Sequence, residues 1–192
     1  MGCTPKVKKA LENVFNKMQD YPDPFSKSLR AEIADRNDVN PENVILAAGS
    51  ESLISILYRT FFLNHENAVT AAATFTGFYV QAEIRGIQVK KVPMTDTFGF
   101  DVERLLAAVD QHTKMIYIAN PNNPTGTYLN VRDVERLLKG LPRDVLVIMD
   151  EAYYEYARYI EDYPDTCRGP LKKNVIVLRA FPGKLGYDGF GK

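Results

Sequence analysis

The stretch KMIYIANPNNPTG, residues 114–126, runs an apolar segment straight into a rigid, amide-rich turn. Its first part, KMIYIA, is short and rich in β-branched and aromatic residues, and it reads as a buried strand. The next seven residues hold three asparagines, two prolines, a threonine and a glycine. Pro121 and Pro124 restrict the backbone, and Gly126 permits a turn. The asparagines can then present amide donors at fixed positions. A plain turn does not need so many such residues, so the run points to a binding loop at the carboxyl end of a strand.

The same rhythm extends in both directions. Apolar runs at 43–48 (NVILAA), 68–73 (AVTAAA), 87–94 (IQVKKVPM), 144–150 (DVLVIMD) and 174–180 (NVIVLRA) read as further strands. Amphipathic helices are expected between them over 49–62, 75–86, 101–110 and 130–141. Apolar strands alternating with helices predict an α/β fold: a three-layer α/β/α arrangement around a mostly parallel sheet. Upstream, TPKVKKALENVFNKM places Val7, Leu11, Val14 and Met18 at helical spacing, with Thr4 as N-cap and Pro5 at the first helical position. YPDP at 21–24 breaks that helix, and SKSLRAEIADRN reads as a second. The expected organisation is a helical segment over 1–40 and an α/β domain over 41–192. Residues 153–173 are polar and aromatic, which predicts a loop with a short helix.

Composition narrows the function. The 192 residues are 45% hydrophobic, enough for a sizeable core. Lys+Arg and Asp+Glu both number 24, and KVKK is the main basic cluster, so a nucleic-acid surface is disfavoured. Cys3 and Cys167 lie far apart without metal-ligand spacing and read as free thiols, with no metal site. No apolar run reaches the roughly 20 residues of a membrane span, and no signal-peptide pattern opens the chain. A cytoplasmic protein is expected.

Parallel sheets bind ligands at the carboxyl ends of their strands. Three such ends carry polar residues. Gly49-Ser50-Glu51 turns from an apolar run into a helix whose first N–H groups can hold a phosphate. The asparagine loop offers amide donors. Asp150 ends another buried run, where a carboxylate needs a partner, and Tyr153 follows with a phenol. A phosphate cradle, a donor and a carboxylate together suit a phosphorylated aromatic with an ionisable ring nitrogen and a ring oxygen. Pyridoxal 5'-phosphate has these features.

NPNNPTG, DEAYYEYA and YPDP in combination resemble the class I/II aminotransferases of fold type I, and within them the histidinol-phosphate aminotransferases. The resemblance runs from Pro5 to about Arg179. It implies that Asp150 pairs with the protonated pyridine nitrogen, that Asn123 and Tyr153 donate to the ring oxygen, and that Ser50 and Glu51 give backbone N–H groups to the phosphate. It implies that Phe75 stacks on the ring and that Tyr21 reaches the phosphate of a neighbouring subunit, making the site a property of a homodimer. The family's Schiff-base lysine follows a Thr-Phe-Ser run. Here the corresponding tail reads AFPGK, so that an ungapped register puts Gly183 at the lysine position and Lys184 one residue later. Lys184 is therefore the candidate lysine, and Pro182 stands where the family has a serine. The family also carries a small C-terminal domain beyond this tail, so the chain is expected to be a partial large domain. The implied reaction is amino transfer between histidinol phosphate and 2-oxoglutarate in histidine biosynthesis, on small amino-acid and keto-acid substrates. A threonine-phosphate decarboxylase resembles this region too, and a non-catalytic homologue without the Schiff-base lysine is the reading from another class.

Overall fold

The structure is a computed structural model, and it describes residues 5–15, 17–63, 65–168 and 174–180. These fall into two compact units, one within residues 5–46 and the other Ala47–Ala180.

The N-terminal unit holds α1 (Pro5–Phe15), α2 (Lys27–Asn37) and a 3-10 turn (Pro41–Asn43). α1 ends at Phe15 and the chain turns over 17–19, ahead of YPDP; that stretch instead sets the start of α2, where the Asp23 carboxylate accepts the N–H groups of Phe25 (2.9 Å) and Lys27 (2.8 Å). Asp38, in the left-handed region (φ 56°), ends α2 by donating its N–H to the Ala34 and Asp35 carbonyls. Arg30 donates to the Pro41 carbonyl (2.6 Å from Nη2), joining α2 to the turn. No residue of α1 is buried.

The second unit alternates helix and strand: α3 (Ser50–Phe61), β1 (Asn67–Ala71), α4 (Thr76–Ile84), β2 (Gln88–Val92), α5 (Val102–Ala108), β3 (Thr113–Ala119), α6 (Val131–Gly140), β4 (Leu146–Asp150), α7 (Tyr154–Ala157) and β5 (Val175–Leu178). The five strands form one sheet in the order β2-β1-β3-β4-β5, and every pairing is parallel. Residues alternate across it as the pleat requires. One face packs Val69, Ile116, Ile118, Val147 and Met149 against Val102 and Leu105 of α5 and Val134 and Leu137 of α6. The other packs Ala68, Met115, Tyr117 and Ile148 against Ile54 and Tyr58 of α3 and Phe78 and Ala82 of α4. This is the expected three-layer α/β/α sandwich.

One expected strand is not formed. NVILAA begins in the 3-10 turn, and residues 44–48 make no strand pairing among the described residues. Ile45 is 71% exposed. An extended apolar run becomes a strand only where a neighbour accepts its ladder of hydrogen bonds, and no described strand lies beside this one.

Candidate active site

The carboxyl ends of β1, β3 and β4 are stitched together by the loops that follow them. Ala119 pairs in register with Asp150, and the Asn120 N–H continues the ladder to the Asp150 carbonyl (2.8 Å). The Asn120 side chain is buried and closes its own loop, donating to the Leu129 carbonyl (3.1 Å) and accepting the Leu129 N–H (2.7 Å). Asn122, also buried, reaches the loop after β1. It donates to the Ala73 carbonyl (2.9 Å) and accepts from the Thr74 hydroxyl (2.7 Å). Both Asn–Pro bonds of the run are cis. Two of the three asparagines thus hold the loop in place. The third, Asn123, is half-buried and has no hydrogen-bond partner among the described residues, so its amide is available to a ligand.

The two acids at the end of β4 have different surroundings. Glu151 is buried and paired: Arg179 donates to its Oε2 from Nε (3.1 Å) and Nη2 (2.8 Å), and also reaches Asp165 (2.9 Å). The Arg179 guanidinium lies 3.6 Å over the Tyr154 ring, whose hydroxyl donates to Asp165 (2.6 Å). Asp150 is as deeply buried but has no cationic partner among the described residues. Its Oδ2 accepts the Tyr117 phenol (2.6 Å) and its Oδ1 the Ala152 N–H (3.2 Å). Burial pushes the Asp150 carboxyl above the ordinary carboxylate range, and these two neutral donors only partly oppose it.

The other expected residues lie as follows. Gly49 (φ 87°, ψ 168°) occupies a backbone region open only to glycine and starts α3, which has no side-chain cap. α3 leads into β1 and packs on the same sheet face as α4. Ser50 and Glu51 open the first turn of α3, and the Glu51 carboxylate accepts from Gln81 of α4 (3.0 Å). Phe75 precedes α4, half-buried, with its ring over Gly77. A Cβ on Gly77 would stand 2.5 Å from that ring. Tyr153 is half-buried beside Tyr156 (6.4 Å between centroids). Tyr21, in the N-terminal unit, is fully exposed. Pro182, Gly183 and Lys184 lie outside the described residues.

These residues fit a phosphorylated pyridine. A helix start accepts an anion, Asn123 has a free donor, and Asp150 lacks a cation. The model of the family "Aminotransferase class I and II" matches residues 2–189. The chain belongs to this family. A curated histidinol-phosphate aminotransferase of Bacillus velezensis is 38% identical over 188 residues, covering 96% of this chain and 51% of the relative. Among solved structures, a histidinol-phosphate aminotransferase from Sinorhizobium meliloti in complex with pyridoxal-5'-phosphate superposes with a TM-score of 0.88 at 28% identity. It covers 98% of this chain and 51% of that one. L-threonine-O-3-phosphate decarboxylase from Porphyromonas gingivalis shares the fold (TM-score 0.76, 20% identity, 93% of this chain and 54% of that one). The chain spans about half the length of the curated relatives it matches.

Two features of this candidate site are not singled out by the sequence. Tyr117 reads there as one more apolar position of KMIYIA, and the split between Asn120 and Asn122 as staples and Asn123 as free is not visible. The signal for Tyr117 was its spacing: two residues before the strand end, it lies diagonal to Asp150 once the register is known.

Proposed function

We propose that this chain supplies the cofactor-gripping part of a pyridoxal-phosphate-dependent aminotransferase acting on histidinol phosphate and 2-oxoglutarate. The observation that carries the reading is Asp150: a carboxylate buried at a strand end, held by neutral donors and lacking a cation. A protonated pyridine nitrogen is the partner it lacks. The substrate rests on the curated relatives, whose identity of 38% exceeds the 20% of the decarboxylase.

When bound, the cofactor supplies the electron sink that makes the α-proton of an amino acid removable. The chain's residues do the rest. Asp150 keeps the proton on the ring nitrogen. Asn123 and Tyr153 donate toward the ring oxygen. The Ser50 and Glu51 N–H groups at the start of α3 take the phosphate, and Phe75 covers a ring face and excludes water. Lys184 would hold the cofactor through its aldehyde and would move the proton at the substrate α-carbon. Tyr21 completes the phosphate contacts across a homodimer.

Titrating the chain with pyridoxal 5'-phosphate should give a saturable absorbance change, and borohydride reduction with peptide mapping should place the label on Lys184. Asp150→Ala should weaken binding roughly 100-fold, the scale of stranding one half of a charge pair. A wild-type chain with no saturable change, or an Asp150→Ala chain that binds equally well, overturns the reading.

A further inference from the structure

We infer that Tyr117 is a positioning residue for the cofactor's ring nitrogen, acting through Asp150: its phenol sets the one orientation in which the carboxylate meets the pyridine. The inference rests on the cofactor assignment above and adds a residue that does not touch the cofactor.

The geometry leaves the phenol little choice. Tyr117 sits on an interior strand with no exposed surface. Its ring stacks on Phe78 (4.2 Å between centroids, 16° between planes), which is itself packed against Tyr58 (5.3 Å). Its carbonyl is held by the Thr70 hydroxyl (2.7 Å). Within this packing the hydroxyl meets Asp150 Oδ2 at 2.6 Å. The Ala152 N–H takes the other oxygen at 3.2 Å. With both oxygens anchored, the carboxylate plane has a single setting. Burial, and then the Asp150 charge, hold the Tyr117 proton far above the ordinary phenol range, so the hydroxyl stays a donor throughout working pH.

As a stability device the arrangement is poor, because a buried carboxylate facing only two neutral donors remains costly. As a ligand device it is effective. Neutral donors fix the carboxylate without neutralising it, so its charge stays available to a cation. Without the phenol, Asp150 would gain rotational freedom and hold a proton more tightly, and both changes oppose pairing with a pyridinium.

The test compares Tyr117→Phe with wild type for two probes, pyridoxal 5'-phosphate and its 1-deaza analogue, in which carbon replaces the ring nitrogen. The variant should bind pyridoxal 5'-phosphate about tenfold more weakly, as expected for loss of a hydrogen bond to a charged group, while its affinity for the analogue stays within about twofold. Equal losses for both probes would mark Tyr117 as packing only, and no loss for either would remove it from the site; each outcome overturns the inference. A wild-type chain that does not prefer pyridoxal 5'-phosphate over the analogue instead overturns the pairing of Asp150 with the ring nitrogen, and with it the cofactor reading. Should Tyr117→Phe not fold, Tyr117→His, which keeps a ring N–H, is compared in the same way: a loss confined to pyridoxal 5'-phosphate supports the inference, and equal losses for both probes overturn it.

Discussion

Asp150 ends an interior strand where the surroundings disfavour a charge, and that conflict can be measured without any ligand. Burial raises its pKa in the folded chain above the unfolded value of about 4. Between those values the native state holds a proton that the unfolded state has lost, so this group's contribution to stability falls as pH rises. Asp150→Asn should therefore stabilise the cofactor-free chain at pH 8 by about 1–2 kcal/mol, with the gain shrinking toward pH 4; urea denaturation at both pH values checks it. The same variant should bind pyridoxal 5'-phosphate poorly, a trade of function for stability. Asp150 and Asn123 were legible in the sequence because a polar residue ending an apolar run stands out. Tyr117 was not, since a tyrosine in such a run looks like core until strand register shows a carboxylate diagonal to it. Nor could sequence tell which asparagine amides turn inward, because that depends on where Ala73, Thr74 and Leu129 lie.

Between elements, two polar clusters tie the sheet at opposite ends. At the carboxyl end Glu151 and Arg179 join the residues after β4 and β5. Arg179→Ala would strand a buried carboxylate and should cost about 3 kcal/mol at pH 8 by chemical denaturation. Losing the guanidinium raises the Glu151 pKa further, so the loss should diminish at pH 5, where that carboxyl takes up a proton. At the amino end Asp110 bonds Lys90 of β2 (2.6 Å), Asn67 of β1 (3.1 Å) and Thr113 of β3 (3.0 Å). Its hydrogen bond with Lys90, and then that with Asn67, hold its pKa below the usual carboxylate range. The stabilisation this provides is complete above about pH 4 and is lost as pH falls toward the folded value. Asp110→Ala should accordingly lower Tm at pH 7 and have less effect at pH 3. Most strands and helices of this unit were legible because period and apolar content agree along them; β2, with Lys90 and Lys91, was legible from its place in the alternation. The exception, 44–48, has the composition of a strand, but pairing is a property of two segments and cannot be read from one.

For the molecule as a whole, the two units differ in how much holds each together. The sheet buries both faces, and β3 and β4 are interior strands. α1 buries no residue, and Leu11, Val14, Phe15 and Met18 of its segment are exposed. An 11-residue helix without packing is marginal in water. Amide hydrogen exchange should therefore be faster in α1 than in β3, by on the order of 100-fold or more. The three-layer class was readable from alternation alone. What alternation cannot supply is the strand order, and it is the order that brings NPNNPTG beside Asp150.

The asparagine loop carries one more consequence. Asn120 and Asn122 spend their amides on the protein itself, so the loop has its shape before any ligand arrives. Capture of a small heterocycle there needs no prior ordering of the chain. Its association rate should follow solvent viscosity rather than a slow internal step, and it should grow linearly with ligand concentration without reaching a plateau.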